Sequence, residues 1–278
     1  MWNDLTDESS PKLQITKIEA QQRAGRYNIY VNGRYAFPVS EDVLIRYRLL
    51  KGTELTDELI ATLQSADDQS KAYELALNYL SYQQRTEKEL SDYLVKKEVP
   101  ETTIAPVMAR LIDDKLLDDS HYAHSYVRTM KRTSDKGPSV IRRQLKQRGV
   151  KDKLIDNALA EDYQSEEQLD RLYELVEKLK RQYQKLTPKI QRQKVQQRLV
   201  EKGFSFDLVG QALAETSFEM DSETELDLLS VQAEKLWRRY HSKPERERQM
   251  KLRQALYRKG FDGDLIAKWL EQKIEEEA

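Results

Sequence analysis

The order of apolar and polar residues predicts α-helices along most of this chain. Apolar side chains recur three and four positions apart, which places them on one side of a helix. The clearest run contains Ala72, Leu75, Ala76, Tyr79 and Leu80. Comparable runs lie at 122–130, 172–183 and 229–240. We therefore predict a mainly α-helical protein.

One helix ending is repeated four times. Each copy has a leucine, a Lys or Arg three residues later, then Gly or Glu, and then an apolar residue. The copies lie at 94–99, 145–150, 199–204 and 256–261. Such internal repeats indicate similar helical units that stack and bury their faces against their neighbours. The sequence thus predicts tandem three-helix repeats in an elongated array.

The four copies differ at the residue that ends the helix. Three of them have glycine, which adopts the left-handed backbone conformation at little cost. The first copy has Glu98 instead, for which we expect a weaker or differently shaped cap. The cations just before this position are expected to act as capping charges at the negative end of the helix dipole: Lys97, Arg148, Lys202 and Lys259.

Before the helices, alternating apolar residues predict a small β module. Its strands are expected at 13–18, 27–31 and 34–39. The Asn32–Gly33 pair joins the second and third strands, and such a pair favours the type I′ turn of a hairpin. In a regular hairpin Tyr30, Tyr35 and Phe37 would share one face. We therefore predict a three-stranded antiparallel sheet.

These patterns divide the chain into six segments. Residues 1–11 are expected to be disordered. The next segment, 12–68, is expected to hold the β module and short helices, with a helix break near Asp67 and Asp68. Four three-helix repeats are expected at 69–117, 118–164, 165–219 and 220–278.

Composition excludes several classes of protein. The chain has 278 residues, of which 38% are hydrophobic and 34% charged, and it has no cysteine. Disulfide frameworks and thiolate metal sites are therefore excluded. No apolar run approaches the ~20 residues of a membrane helix, and the first residues lack the pattern of a signal peptide. We expect a cytoplasmic monomer without a membrane partner.

Charge is distributed unevenly, although the net charge is only −1. Residues 121–160 contain ten Lys and Arg against three Asp. The other repeats lack most of these cations, so the fold does not require them. We predict that six of them form one exposed surface that binds a polyanion and is free of the chain's own carboxylates: Arg128, Lys131, Arg132, Arg142, Arg143 and Lys146. A solvated helix face remains the alternative.

Two further features are compatible with nucleic-acid binding. A second basic group, expected to contribute secondary contacts, consists of Arg192, Lys194 and Arg198. The chain also has 15 tyrosines, and tyrosine can stack on the bases of a single strand. Most of those named above lie on apolar stripes, so a core position is the favoured interpretation.

The residues offer little for catalysis. His121 and His124 lie one helical turn apart, but a solvated pair is favoured over a metal site. The carboxylates within 113–119 could bind Mg²⁺, but helix capping explains them better. The sequence has no phosphate-binding glycine loop and no nucleophile elbow. We predict a protein that is not an enzyme and has no metal or cofactor.

Several segments together resemble the RecX family of regulatory proteins, which modulate the RecA recombinase. The resemblance extends over about residues 70–275. The family motif R-x-R-S is represented here by Gln83-Gln84-Arg85-Thr86. The strongest segments are AYELALNYL at 72–80, RTEKEL at 85–90, LDDSHYA at 117–123 and KGPSVIRRQL at 136–145.

The resemblance implies a curved helical array that binds in the groove of a RecA filament on single-stranded DNA. There it would limit filament growth, ATP turnover and strand exchange during recombination, DNA repair and the SOS response. The nine cations named above are then the expected contacts. One alternative is a stand-alone DNA-binding protein that competes for single-stranded DNA. A metal-dependent nuclease that uses the carboxylates within 113–119 is the other, less favoured alternative.

Overall fold

A computed structural model describes residues 12–277. The segment predicted to be disordered, 1–11, lies outside the described residues. The described chain is mainly helical and has a small antiparallel sheet near its start, so the predicted fold class is confirmed. It forms two compact units, the first made of 12–123 and 146–154 and the second of 124–145 and 155–277.

Within the described residues the sheet has four strands rather than the three predicted. They are β1 (Leu13–Ala20), β2 (Arg26–Val31), β3 (Arg34–Ser40) and β4 (Glu54–Leu55), in the order β3-β2-β1-β4. All neighbouring strands are antiparallel. A two-residue strand is too short to show an apolar alternation. It forms because Leu55 pairs with Leu13, a contact that the local sequence does not reveal.

The predicted hairpin is confirmed at its turn but not along β3. The Asn32–Gly33 pair has φ values of 49° and 80°, the positive values that a type I′ turn requires. Tyr30 pairs with Tyr35, whereas Ile29 pairs with Phe37, so β3 contains one extra residue as a bulge. The bulge turns Phe37 to the buried face. The prediction that Phe37 shares a face with Tyr30 and Tyr35 is therefore wrong.

Two helices connect the sheet to the repeats, α1 (Glu41–Arg46) and α2 (Asp57–Tyr82). The predicted break near Asp67 is wrong, because α2 is continuous. The buried carboxylate of Asp67 accepts hydrogen bonds from the Arg26 guanidinium at 2.6 and 3.0 Å and from the Ser40 amide at 2.8 Å. These partners satisfy the carboxylate, so it does not compete for the backbone of its own helix.

The remaining helices follow in groups of three, of which the first group includes the end of α2. That group is completed by α3 (Glu87–Lys96) and α4 (Glu101–Asp113). The second group is α5 (Asp119–Thr133), α6 (Pro138–Gln147) and α7 (Asp152–Asp162). The third is α8 (Ser165–Gln182), α9 (Pro188–Glu201) and α10 (Phe206–Ala214). The fourth is α11 (Ser222–Arg239), α12 (Glu245–Arg258) and α13 (Gly263–Glu277).

Separate apolar cores stabilise these parts. In the first unit, one core lies between the sheet and α1 and α2 and includes Ile29 and Leu63. The first helix group has its own core, which includes Leu90 and Leu94. In the second unit the fourth group buries its apolar residues around Trp237. The cores of the first and fourth helix groups contain the stripes that the sequence predicted, whereas the core under the sheet includes Phe37, whose face was predicted wrongly.

The repeated helix ending forms a joint between successive groups. The hydroxyl of Thr86, before α3, donates to the carbonyl oxygen of Arg148, beyond α6, at 2.6 Å. The amide of Gly137 donates to the carbonyl oxygen of Lys202 at 2.7 Å. The hydroxyl of Thr187 donates to the carbonyl oxygen of Lys259, also at 2.7 Å. The start of one second helix therefore packs on the end of the next second helix along the chain.

Glycine suits the left-handed backbone at this joint, and the lack of space there excludes any side chain. Gly203 has a φ of 95°, and a Cβ there would lie 2.7 Å from the amide nitrogen of Val140. Gly260 has a φ of 85°, and a Cβ there would lie 2.5 Å from the hydroxyl oxygen of Thr187. Any side chain at these positions would therefore force the joint apart.

Glu98 occupies the equivalent position in the first group with the same backbone. Its φ is 61°. The amide of Val99 donates to the carbonyl oxygen of Leu94 at 3.1 Å, as the amide of Phe204 does to that of Leu199 at 3.3 Å. The expectation of a differently shaped cap is therefore wrong. Because Glu98 is exposed, its side chain has space at this position, and the weaker cap remains a prediction.

Candidate nucleic-acid interface

Helix α6 presents three of the predicted cations away from its buried residues. Ile141 and Leu145 are fully buried. Arg143 and Lys146 are exposed, and Arg142 is half-buried. The strong segregation of apolar and charged positions along this helix explains why its basic side remains in solvent.

Helix α5 carries the other three cations near its end. Arg128 and Arg132, four residues apart, are exposed, whereas Lys131 is half-buried. Val127, next to Arg128 in the sequence, is buried. Positions four apart lie on the same side of a helix, so the two arginines form one basic edge.

Four of these six cations form ion pairs with carboxylates of their own chain. Nitrogen–oxygen distances are 3.3 Å from Arg128 to Asp162, 2.8 Å from Lys131 to Glu167 and 3.0 Å from Lys146 to Asp152, and Arg142 pairs with Asp156. The expectation that all six would be free of the chain's own carboxylates is therefore wrong. The sequence did not reveal the pairs because all four join different helices.

Two cations of this group keep an unneutralised charge. Within the described part of the chain, Arg132 and Arg143 form no ion pair, and both are exposed. The carboxylates that pair with Arg142 and Lys146 are themselves more than half exposed, at 55% and 59%. Exposed pairs of this kind stabilise a protein by only about 0–1 kcal/mol. A phosphate could therefore replace the carboxylates of Arg142 and Lys146 at little cost.

The second basic group lies on α9. Arg192, Lys194 and Arg198 are all exposed, while Val195 between them is buried. Arg198 forms a 2.9 Å ion pair with Glu201. Among the residues that the structure describes, Arg192 and Lys194 have no ion pair. Most cations of both groups are thus exposed, which fits a binding surface and a solvated surface equally well.

A partly buried carboxylate, Asp135, lies between α5 and α6 and binds three cations. It is 2.8 Å from Arg171, 3.0 Å from Lys178 and 3.2 Å from Lys202. Burial by itself would raise the pKa of Asp135, but hydrogen bonds from Lys178 and Lys202 outweigh burial and lower the pKa. Asp135 therefore links the segment between α5 and α6 to Arg171, Lys178 and Lys202, and it forms no ion pair with the six cations of α5 and α6 among the described residues.

Several of the residues considered for catalysis have structural partners. Asp118 accepts a hydrogen bond from the His121 amide at 2.9 Å and caps α5. Asp119 is buried and accepts from the Glu87 amide at 2.9 Å, and burial raises the pKa of Asp119. His124 is not a solvated residue, because its ring nitrogen lies 2.6 Å from Asp162. Within 12–277, no group of three or more His, Asp or Glu is arranged to bind a metal.

One polar cleft was missed by sequence reasoning. It lies in the first unit, and Arg85 and Lys115 contribute its cations. The two residues are far apart in the sequence, and neither lies in a basic run. Only the turn after α4 brings them together, so no local pattern could have revealed the cleft.

None of the described helices is long and apolar enough to cross a membrane.

Known sequence domains match this chain in five places. The regulatory protein RecX N-terminal domain matches residues 13–56. The RecX first and second three-helix domains match 72–111 and 118–159. The RecX third three-helix domain matches twice, at 166–213 and 223–270.

Individual proteins are similar over nearly the whole chain. The regulatory protein RecX of Levilactobacillus brevis is 50% identical over 256 residues, which cover 92% of this chain and 96% of the relative. The regulatory protein RecX of Bacillus subtilis is 41% identical over 260 residues, with 93% and 98% covered.

Solved structures show the same fold. A crystal structure of regulatory protein RecX is 46% identical, with a TM-score of 0.67, over 73% of this chain and 100% of the other. RecX from Lactobacillus salivarius is 43% identical, with a TM-score of 0.52, over 54% and 97%. These relatives are described as regulatory proteins, and the prediction that the chain is not an enzyme is confirmed. The domain matches, the relatives and the fold agree: this chain belongs to the RecX family of regulatory proteins.

Proposed function

We propose that this protein regulates a RecA recombinase, mainly by inhibition, through binding in the groove of its filament on single-stranded DNA. The observation that carries the proposal is the succession of RecX domains along residues 13–270. In this proposal the protein limits filament growth, ATP turnover and strand exchange during recombination, DNA repair and the SOS response. It acts in the cytoplasm as a monomer.

The proposed first contacts are the six cations of α5 and α6. Arg132 and Arg143 are the strongest candidates because both are exposed and neither has an ion pair in the described chain. Arg128, Lys131, Arg142 and Lys146 would exchange their carboxylate partners for phosphates of the DNA or for acidic side chains of the filament. Arg192, Lys194 and Arg198 are the proposed second contacts. Since each neutralised phosphate releases counterions, binding should weaken as salt rises.

The decisive test uses the cations that have no partner. The double variant R132E/R143E is expected to inhibit filament-dependent ATP hydrolysis at least about tenfold less well than the wild type, because two attractive charges become repulsive. Since no ion pair is broken, its thermal unfolding should be nearly unchanged. The variant R142E/K146E should also lose inhibition, but it removes two ion pairs as well.

A matched control reverses two other charges. Arg239 on α11 and Arg253 on α12 are exposed and have no ion pair within 12–277. The variant R239E/R253E therefore makes the same charge change on the first and second helices of the fourth group. It should inhibit as the wild type does. Full inhibition by R132E/R143E would remove α5 and α6 from the mechanism.

The alternative function is a stand-alone protein that competes for single-stranded DNA. The net charge of −1 gives no overall attraction to DNA, so we expect weak binding to bare strands. A gel shift at physiological salt, on bare single-stranded DNA and on preformed filament, separates the two functions. Equal affinity for both would favour simple competition.

A further inference from the structure

The first unit has a cleft of about 470 Å³ at the place where α2 ends and α5 begins. Its apolar walls include Leu80, Leu116 and Tyr122. Arg85 and Lys115 line it with positive charge. The lining is about equally polar and apolar, and a concave site of this size with convergent polar groups can hold a small charged ligand.

The two cations of the cleft are not neutralised by the protein. Within the described residues, neither Arg85 nor Lys115 forms an ion pair with a carboxylate. This distinguishes them from Arg128, Lys131 and Lys146, which all do. An anionic group is therefore the favoured occupant next to Arg85 and Lys115.

An aromatic stack holds Arg85 at the edge of the cleft. Its guanidinium lies 4.4 Å from the ring centroid of Tyr79. The Tyr79 ring in turn stacks on Tyr93, with centroids 4.0 Å apart and planes 2° from parallel. The guanidinium is thus positioned before a ligand arrives, which reduces the entropy lost on binding. Tyr82, three residues before Arg85, is 86% exposed and can stack on a base.

The cleft also contains acceptors, and these distinguish between anionic ligands. Asp118 lines it, and one of its oxygens caps α5 by accepting from the His121 amide. Gln84 lines the cleft as well. Asp118 repels any anionic group placed next to it, but it can accept a hydrogen bond from the amino group of a base whose phosphate lies beside Arg85 and Lys115. Cations, apolar walls and an acceptor together fit a nucleotide.

We propose that this cleft binds one nucleotide of a single-stranded nucleic acid. Arg85 and Lys115 bind its phosphate, Leu116 and Tyr122 contact the base, and Asp118 accepts from the base edge. The inference deepens the proposed function, on which it rests for its ligand, because it gives the first helix group a DNA contact of its own.

The key variant removes the charge of Lys115 and also relieves the backbone strain at this residue. Lys115 has a φ of 56°, in the left-handed region that glycine adopts more easily. K115G should therefore bind a short, labelled oligodeoxycytidine about tenfold more weakly at low salt, without loss of thermal stability. R85Q should also weaken binding, because it keeps a planar group but loses the charge. K115R should bind as the wild type does.

E98G is the matched control. It relieves backbone strain at Glu98, a left-handed residue after α3 in the same helix group. It removes no cation and lies outside the cleft. It should bind the oligonucleotide at least as tightly as the wild type. If K115G and R85Q bind like E98G, the inference is wrong. If a glutamate-rich peptide binds in the cleft and the oligonucleotide does not, the inference is also wrong.

Photocrosslinking separates this inference from the proposed function. An oligonucleotide that carries 5-iodocytosine should crosslink to Tyr82 or Tyr122, and R132E/R143E should retain that crosslink while it loses inhibition of the recombinase. Absence of the crosslink from the wild-type protein would refute the cleft alone. A crosslink in a protein that does not alter the recombinase would refute the proposed function alone.

Discussion

The buried Arg26–Asp67 pair links the sheet to α2 at the scale of single residues. Arg26 and Asp67 are 8% and 2% exposed, and two hydrogen bonds join their charged groups. A buried charge is tolerated only while its partner remains, because each ion was removed from water when the chain folded. The pair therefore makes the position of β2 depend on α2.

Removal of one partner should be severe. D67A is expected to lower the free energy of unfolding by about 3–5 kcal/mol, because it leaves the Arg26 guanidinium buried without a counter-charge. Chemical denaturation measures the change. The neighbouring D68A, at an exposed position, should change the stability by less than about 0.5 kcal/mol. Equal effects at the two positions would contradict this account.

Asp135 should make stability depend on pH. Its pKa is lowered in the folded protein, so its carboxylate stabilises the fold above the unfolded value of about 3.9. That contribution is lost as the pH falls through the folded pKa. D135N should therefore lower the melting temperature at pH 7, by the equivalent of about 1–2 kcal/mol. The difference between D135N and the wild type should shrink below about pH 4. A difference that does not change with pH would exclude the charge as its cause.

At the scale of elements, the glycine joint explains why one short ending recurs with small changes. The three copies with glycine contact the start of the second helix of the preceding group. Glu98 belongs to the first group, which in the described residues follows the sheet and α1 rather than another three-helix group. The left-handed backbone is common to all four copies, so the contact, rather than the cap, excludes a side chain from Gly203 and Gly260.

Opposite substitutions at the joint should have opposite effects. G203A should destabilise the protein by about 2–3 kcal/mol, because it combines a positive φ with a Cβ close to the Val140 amide. E98G should stabilise it by about 0.5–1 kcal/mol, since it relieves the same backbone where no clash exists. Thermal and chemical unfolding measure both. A destabilising E98G would show that the Glu98 side chain has a role of its own.

At the scale of the whole molecule, acidic and basic residues almost balance, with 48 of the first and 47 of the second. The structure shows one consequence, because carboxylates cover most of the predicted binding cations. Attachment to a polyanion would therefore be a competition between phosphates and the chain's own Asp and Glu. This arrangement favours weak binding to bare DNA and leaves specificity to the rest of the filament contact.

That competition can be shifted by removal of the competing carboxylates. D152N/D156N frees Lys146 and Arg142, so it should bind the filament several-fold more tightly and with a steeper salt dependence. D227N/D264N makes the same charge change at exposed positions of α11 and α13. It should have a much smaller effect. Inhibition of the recombinase, measured over a range of salt concentrations, gives the comparison. Equal effects of the two variants would indicate net charge alone.

The sequence by itself was sufficient for features that depend on neighbouring residues. Apolar periodicity predicted the helices, Asn32-Gly33 predicted the hairpin turn, and the repeated ending predicted the groups of three helices. Each of these follows from local conformational preference or from one-sided burial. The exposure of Arg132 and Arg143 followed in the same way, because both lie outside the apolar stripes of their helices.

Only the tertiary structure decided the features that join distant residues. The bulge that turns Phe37 inward, the pairing of Leu13 with Leu55 and the continuity of α2 at Asp67 all depend on partners elsewhere in the chain. The ion pairs that cover Arg128 and Arg142, and the cleft at Arg85, arise in the same way. Local patterns report the preference of a segment, whereas charge pairing and cavities depend on which surfaces are brought together when segments pack.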